Sequence, residues 1–305
     1  MDGKGIVMHQ KDLRDLTRKA AERAKSKPKS YRLGKGEKRN RKRMATVATV
    51  YTINHYNRTA EEIMGINKRD DENPQPRAKH KRVWASVERD PLEVAKEAFK
   101  EALRRDPNNE REWVVLVDGD RYQIERIYSL IDKYQIDAVV ILDYIHVLEY
   151  LWKAAYCFNK ENSVEAEKWV AKRGLNILKG KAIDVAAGMR RSATLRNLTK
   201  EQRKSVDKCA NYLLIYSNLL FYDHYIESGF PIATGVIEGA CRHLIKDRMD
   251  ITGARWRLKS AEAVLKLRSL HSSGDLDEYM VFHNNQELKR NHFSQTLDIQ
   301  HQKAA

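Results

Sequence analysis

The sequence predicts an α/β fold, and three neighbouring segments in the middle of the chain support that prediction. The runs EWVVLVDGD and DAVVILDYIHV are apolar almost throughout, which is typical of strands buried on both faces. Between them, IERIYSLIDKY has the apolar spacing of an amphipathic helix. A strand, a helix and a second strand in this order predict a parallel pair inside a layered α/β domain.

The first third of the chain adds strands and helices around this unit. Residues 2–8 have the pattern of a short strand, and QKDLRDLTRKAAERAKSK predicts a helix that ends at Pro28. MATVATVYTI is rich in Val, Thr and Tyr and predicts another strand. Residues 67–90 contain two prolines and many charges, which predicts an irregular connection. The dipeptide Asp90-Pro91 then predicts a helix start.

The second half of the chain predicts helices only. From about residue 160 to 228 every apolar pattern has helical spacing, and Gly229 and Pro231 break the chain after it. TGVIEGACRHLIKDRM and KSAEAVLKLRSLH predict two further helices. The segment from Asn284 onward is polar, and we expect it to be poorly ordered.

The charge of the chain is strongly basic and unevenly distributed. The 305 residues have a formal net charge of +15, and residues 1–43 alone hold 16 Lys and Arg against 5 Asp and Glu. Clustered Lys and Arg favour a nucleic-acid partner, and a solvated basic surface accounts for the charge equally well. Within KGEKRNRKR, we expect Lys38, Arg39, Arg41, Lys42 and Arg43 to follow a DNA backbone without reading its bases.

Several classes of protein find no support in the sequence. Three scattered cysteines argue against a disulfide framework and a cysteine-based zinc site. No run approaches 18 consecutive apolar residues, and no signal-peptide pattern opens the chain, so we expect no membrane partner and a cytoplasmic location. The sequence also lacks GxSxG, a P-loop and GxGxxG, which removes support for hydrolase triads and nucleotide binding.

Four acidic residues are candidates for a metal site. Asp118 and Asp143 each end a predicted parallel strand, so we expect both at one edge of the sheet. Asp2 precedes the first apolar run, and Glu238 lies among small residues near a helix start. Carboxylates that converge repel one another unless a cation compensates, and oxygen ligands select Mg²⁺ or Mn²⁺.

Each acid also has a structural explanation. Asp118 before a glycine is an ordinary turn, and Asp143 is a good cap for the following helix. Glu238 gains favourable energy from a helix dipole, and Asp2 is a chain terminus. His146 could join Asp143 in a metal pair, although a structural histidine is the better interpretation.

Basic and aromatic residues near Glu238 suggest contacts with nucleic acid. Arg242 and Lys246 follow Glu238 on the same helical face, where they could pair with phosphates or form a solvated stripe. Trp256 lies between Arg255 and Arg257, so it could stack on an exposed base or pack in the core.

These motifs together resemble a known family. Five segments resemble the Kra-type DDE transposases of bacterial insertion sequences, and the resemblance runs from Asp2 to about His292. The segments are DGKGIVM, GEKRNRKRMATVATVYTI, VVLVDGDR, ILDYIHVLEYLWKAA and PIATGVIEGACRHLIKDRMDITGARW. The resemblance implies an RNase H-like mixed sheet flanked by helices, with an acidic triad that binds two Mg²⁺ or Mn²⁺ ions. It places the triad at Asp2, Asp118 and Glu238, with Asp143 as an alternative to Asp118.

The resemblance also implies an organisation and an activity. Residues 1–145 and 231–272 would form the catalytic core, residues 146–230 an all-α insertion, and residues 273–305 a polar tail. Family members have a long region before the first Asp, so we expect this chain to lack an N-terminal part. The implied activity is cleavage at transposon ends and strand transfer into double-stranded target DNA, by a homo-oligomer in the cytoplasm, at the nucleoid. The alternatives are an inactive DNA-binding remnant and an RNase H-like nuclease without strand transfer.

Overall fold

The computed structural model describes residues 1–25, 41–67, 74–251 and 253–293. The strands are β1 Asp2–Val7, β2 Lys42–Thr52, β3 Lys79–Ser86, β4 Trp113–Val117 and β5 Ala138–Leu142. The helices are α1 Asp15–Lys25, α2 Ala60–Ile63, α3 Pro91–Arg105, α4 Arg121–Tyr134, α5 Tyr144–Ala155, α6 Val164–Leu178, α7 Ala182–Leu195, α8 Lys204–Ile215, α9 Tyr222–Glu227, α10 Gly235–Cys241, α11 Asp247–Met249, α12 Leu258–Ser273 and α13 Leu276–Leu288. A π-helical turn, Arg242–Lys246, joins α10 to α11.

The architecture is mixed α/β, with two small sheets flanked by helices among the described residues. The prediction of an α/β fold is confirmed at this level. Throughout the described ranges, each helix is either too short or too polar to cross a bilayer.

The chain divides into two compact units, each assembled from separate stretches of sequence. The first unit contains Met1 and residues 52–79 and 95–236. The second unit contains residues 2–51, 80–94 and 237–305. Each unit has its own sheet and its own helices.

The sheet of the first unit is the predicted strand–helix–strand element. β4 and β5 are parallel, and Val117 pairs with Leu142 at their carboxyl ends. Helix α4 connects them, and it begins where the Asp120 carboxylate accepts a hydrogen bond from the N–H of Gln123. It ends at Tyr134, and the C-cap residue Gln135 adopts a left-handed conformation with φ of 51°. The apolar spacing of the sequence therefore predicted this part of the fold correctly.

Helices α5 to α9 form most of the rest of the first unit, which also includes α2 and most of α3. Helix α5 packs against α6 and α8, and α7 packs against α6 and α8. Small buried residues, including Ala186, Ala193 and Ala210, allow the helices to approach closely. The described residues from 160 to 228 contain helices and turns and no strand, as their helical spacing predicted.

The second unit is built on a sheet with the order β1-β2-β3. Strand β1 is antiparallel to β2, and Asp2 pairs with Val47. The core of this unit joins residues of the sheet to apolar residues of α10, the π-helical turn and α12, and Ile6, Leu244 and Leu265 are fully buried in it. Burial of these side chains is the main source of stability for the unit.

A buried carboxylate connects α12 to the segment that follows β3. Glu262 accepts hydrogen bonds from the Ser86 hydroxyl at 3.0 Å, the Val87 N–H at 2.9 Å and the Glu88 N–H at 3.2 Å. Its side chain is 5% exposed, so the bonds replace the water that burial removes. This arrangement fixes the end of β3 against α12.

Three segments differ from the sequence prediction. Residues 79–86 form strand β3 within the stretch predicted as irregular, and helix α13 occupies part of the predicted polar tail. Helix α1 begins at Asp15, after a 3₁₀ turn, rather than at the start of the predicted segment. Leu16 has the helical spacing of an apolar face with Leu13, and yet it is 84% exposed.

Candidate metal and nucleic-acid sites

Asp118 and Asp143 lie at the same edge of the sheet in the first unit. β4 ends at Val117 and β5 ends at Leu142, and these two residues are paired in parallel register. The Asp143 N–H donates to the Val117 carbonyl at 2.7 Å, which continues the pairing past the strand ends. The sequence predicted this placement, because the carboxyl ends of parallel strands meet at one edge.

Asp118 begins a tight turn. Its Oδ1 atom accepts a hydrogen bond from the Asp120 N–H at 2.9 Å, and Gly119 has φ of +89°. Glycine adopts this left-handed conformation without the steric cost that a side chain brings. Asp118 is partly exposed, so the turn leaves its carboxylate accessible to solvent. Turn formation and metal binding are compatible at this residue.

Two tyrosines of the helical segment hold the backbone of this turn. The Tyr212 hydroxyl donates to the Asp118 carbonyl at 3.0 Å, and the Tyr216 hydroxyl donates to the Gly119 carbonyl at 2.7 Å. Tyr150 stacks on Tyr212 with ring centroids 4.0 Å apart, which fixes the position of that ring. Burial raises the pKa of both Tyr212 and Tyr216, so both phenols remain donors at neutral pH.

Sequence reasoning missed this pair of tyrosines. They lie more than 90 residues from the turn that they bind, and no local pattern connects the two. The one signal available was their spacing of four residues on an apolar helix, which puts both on the same face. That spacing alone gives no indication of what the face contacts.

Asp143 is engaged as a helix cap. It is 1% exposed, and its Oδ1 atom accepts a hydrogen bond from the Ile145 N–H at 2.8 Å at the start of α5. Its Oδ2 atom accepts a hydrogen bond from the Thr234 hydroxyl. These contacts match the capping role that the sequence left open. Of the two strand-end acids, Asp118 is the more accessible to a ligand.

Asp2 and Glu238 belong to the second unit. Asp2 begins β1, and its Oδ2 atom accepts a hydrogen bond from the Cys241 thiol at 3.0 Å. Burial and the nearby Asp2 charge both raise the pKa of Cys241, so the thiol is protonated and donates. Glu238 is exposed one turn before Cys241 on α10. The structure therefore places Asp2 against the helix that carries Glu238.

The donor atoms of the candidate acids suit a hard divalent ion. Asp118 and Asp143 in the first unit, and Asp2 and Glu238 in the second, offer carboxylate oxygens, which are the ligands that Mg²⁺ and Mn²⁺ prefer. Among the described residues, no group of three or more His, Cys, Asp or Glu side chains is placed to hold a metal ion. His146 is partly buried in the first turn of α5.

The basic run before β2 is described only in part. Lys38 and Arg39 lie outside the described residues. Arg41 is exposed just before the strand, and Lys42 forms an ion pair with Asp250 at 3.1 Å. The exposed Arg41 is suited to phosphate contact, whereas Lys42 already has an acidic partner.

Arg43 has a structural environment. Its Nε atom donates to the Val87 carbonyl at 2.8 Å, and its guanidinium also donates to the Asp12 carbonyl at 3.3 Å. Burial lowers the pKa of Arg43, and the charge of Arg14 acts in the same direction. These bonds connect β2 to two neighbouring segments, so Arg43 is less available to DNA than its place in the basic run suggests.

The π-helical turn after α10 presents two exposed basic residues. Arg242 and Lys246 are both exposed, and the Arg242 Nε lies 3.7 Å from a carboxylate oxygen of Asp247. An exposed pair at this distance contributes little to stability. Both side chains therefore remain available for phosphate groups.

Trp256 packs within the second unit rather than projecting from it. It is partly buried against the apolar core, and its indole N–H donates to the Met249 carbonyl at 3.3 Å. Its backbone forms an isolated bridge with Met8. These contacts favour the core interpretation for Trp256. The preceding Arg255 is exposed.

Together these features define a mixed α/β protein in which two acids end neighbouring parallel strands and a further pair lies where β1 meets α10. Comparison of the chain with models of protein families, with curated proteins and with solved structures finds no match. Its function is therefore inferred from its own residues and their geometry.

Proposed function

We propose that the chain is the catalytic part of a DDE transposase, a divalent-metal-dependent polynucleotidyl transferase with an RNase H-like fold. It cleaves DNA at transposon ends and joins the cut strand to target DNA, in the cytoplasm and on the nucleoid. The observation that best supports this proposal is the placement of Asp118 and Asp143 at one edge of the parallel β4-β5 pair. An edge of this kind is where α/β sheets bind ligands.

The proposal assigns Asp2, Asp118 and Glu238 to hold two Mg²⁺ or Mn²⁺ ions. When bound, such ions make water or a 3′-hydroxyl a better nucleophile and compensate charge on the leaving oxygen of the phosphodiester. The accessibility of Asp118 supports its choice over Asp143, which caps α5 with both oxygens engaged. Asp143 then positions the start of α5.

The remaining roles follow from exposure and charge. The Tyr212 and Tyr216 hydroxyls fix the carbonyls of the Asp118–Gly119 turn, so they orient the Asp118 backbone. Exposed basic residues would bind DNA phosphates, and a net charge of +15 favours that association. The exposed candidates are Arg41, Arg242, Lys246 and Arg255. The sequence adds Lys38 and Arg39 of the basic run, which lie outside the described residues.

A charge-removing substitution at Glu238 tests the assignment. Glu238→Gln should lower Mg²⁺-dependent cleavage by on the order of a hundredfold or more, because a neutral amide is a poor ligand for a hard ion. Binding of the same DNA should change less than about twofold, since one exposed side chain contributes little to a large charged surface. The substrate is a labelled DNA that carries the ends of the element encoding the chain.

The matched control is Glu278→Gln, an exposed glutamate in the first turn of α13. It should cleave like the parent protein. Equal cleavage by Glu238→Gln and the parent would remove Glu238 from the site. Adding a target plasmid separates the related activities, because a nuclease cuts without joining and an inactive DNA-binding protein only binds.

A further inference from the structure

Two arginines and two aromatic rings of the helical segment form a stacked cluster. The guanidinium of Arg173 lies 3.6 Å from the centre of the Trp169 ring. Trp169 stacks on Phe158 with ring centroids 5.5 Å apart, and the guanidinium of Arg196 lies 5.2 Å from the Phe158 centre. All four residues belong to the first unit, and we call them the arginine–aromatic cluster.

Backbone contacts hold both guanidinium groups in place. Arg173 donates one hydrogen bond to the Trp169 carbonyl at 3.3 Å, and Arg196 donates one to the Phe158 carbonyl at 3.1 Å. A guanidinium has five N–H donors, so most of the donors of each group remain for a ligand. The ring contact and the backbone bond of each group restrict its motion, which reduces the entropy lost when a ligand binds.

The two positive charges have no acidic partner in the described part of the chain. No ion pair with Asp or Glu involves Arg173 or Arg196 among those residues. Burial lowers the pKa of Arg173 to about 10, and the charge of Arg196 acts in the same direction. Both effects disfavour the charged form, and the negative charge of a bound anion would compensate for them.

We propose that the arginine–aromatic cluster binds a phosphate group of DNA. The planar donor fork of arginine matches the oxygens of a phosphate. The surrounding segment, residues 146–230, contains 14 Lys and Arg and 9 Asp and Glu, and this excess favours a polyanion over a single small ion. The identity of the ligand as DNA rests on the proposed function, whereas the anion site itself rests on the cluster.

Salt-dependent DNA binding tests the cluster. The affinity of the full chain for a fluorescein-labelled duplex is measured by anisotropy at several salt concentrations, for the parent, Arg173→Gln and Arg196→Gln. Each variant should bind on the order of tenfold more weakly at low salt, and its log–log salt slope should fall by about one. Arg191→Gln is the matched control, since Arg191 is an exposed arginine of α7 outside the cluster.

The outcomes separate this site from the proposed function. If the parent binds DNA, either of two results would overturn the site. One is an unchanged affinity and salt slope in both cluster variants, and the other is an equal loss of affinity in Arg191→Gln. If the parent does not bind DNA, the proposed function fails. Inorganic phosphate then tests the anion site alone: it should raise the melting temperature of the parent more than that of Arg196→Gln, and an equal rise overturns the site.

A measurement on the unmodified protein covers the case in which a variant does not fold. Phenylglyoxal modifies accessible arginines, and mass spectrometry reports the extent at each one. Added duplex should protect Arg173 and Arg196 several-fold more than Arg191. Equal modification with and without DNA at both cluster arginines would rule out the proposed contact.

Discussion

Gly119 is the residue where the turn after β4 depends most on the absence of a side chain. Its φ is +89°, and a Cβ atom there would lie 2.7 Å from atoms of the Tyr212 ring. Tyr212 cannot move aside easily, because it stacks on Tyr150 and donates to the Asp118 carbonyl. The turn therefore requires glycine for two independent reasons.

We expect Gly119→Ala to lower the free energy of unfolding by about 2–4 kcal/mol, from backbone strain and overpacking together. Urea denaturation followed by circular dichroism measures this change. Gly253→Ala is the control for strain alone, because Gly253 has φ of +83° and nothing within 4 Å of a built Cβ. Gly253→Ala should lower the free energy of unfolding by only about 1 kcal/mol. Equal losses in the two variants would show that the Tyr212 contact is unimportant.

Asp106 gives the protein a predictable response to acid. Its carboxylate accepts hydrogen bonds from the Trp113 indole N–H at 2.8 Å and the Glu110 N–H at 2.9 Å. The Trp113 bond holds the pKa of Asp106 below its ordinary value, and the backbone bonds add to that effect. Because the folded pKa is below the unfolded one, the charged carboxylate stabilises the fold. That contribution is complete above the unfolded pKa, about 4, and disappears as the pH falls through the folded value.

We expect Asp106→Asn to be less stable than the parent at neutral pH, and the difference to narrow below about pH 4. Urea midpoints of both proteins at a series of pH values measure it. A difference that stays constant across the acid range would show that the ionisation of Asp106 does not contribute.

At the scale of single residues, part of the candidate site could be predicted from the sequence. Asp118 and Asp143 could be placed at one edge because strand periodicity and the helix between the strands determine their register. Tyr212, Tyr216 and Cys241 could not be paired with their partners, because those contacts join residues far apart in the chain. Contacts of that kind depend on how the elements pack, which a local pattern does not encode.

At the scale of elements, strong periodicity predicted the structure and mixed signals did not. β4, α4 and β5 follow from continuous apolar runs and a regular helical spacing. Strand β3 was missed because KHKRVWAS begins with four exposed residues and follows two prolines. Helix α13 was missed because the sequence from Asn284 onward is polar and none of the residues of the helix is buried, so no apolar face marks it.

Two glycines within helices give a matched test of packing between elements. Gly188 in α7 has nothing within 4 Å of a built Cβ, whereas a Cβ at Gly174 in α6 would lie 2.6 Å from the Tyr144 hydroxyl. Tyr144 is 2% exposed and lies at the start of α5, so it has little room to move. Gly174 therefore sets how closely α6 approaches α5.

We expect Gly188→Ala to raise the free energy of unfolding by about 0.5–1 kcal/mol, because alanine favours the helix. Gly174→Ala should instead lower it by about 1–3 kcal/mol, because overpacking exceeds the gain in propensity. Thermal and urea unfolding of the two variants measure both values. Stabilisation by Gly174→Ala would contradict close packing of α5 and α6.

At the scale of the whole molecule, the division into units predicts how the chain responds to truncation. All residues of the first unit precede Ile237, whereas the core of the second unit includes apolar residues between Ile237 and Leu265. Removal of residues 237–305 would take away the apolar residues of α10 and α12 and leave the three-stranded sheet without them. A sheet of this size is not stable without a covered apolar face.

We expect a fragment of residues 1–236 to retain protected amides in α5 to α8 and to lose protection in β1 and β2. Hydrogen–deuterium exchange with mass spectrometry, compared with the full chain, measures both regions. Unchanged protection of β1 in the fragment would show that the sheet is stable without the C-terminal helices.

The discontinuous second unit also affects how the protein is made. During translation β1 and β2 leave the ribosome well before α10 and α12. Ile6 and Val47 therefore stay without their core partners until most of the chain has been synthesised. Closing contacts over that sequence distance is slow, and an apolar sheet face that stays open invites aggregation. Synthesis of this protein should therefore depend on chaperones that bind nascent chains, more than its final stability would suggest.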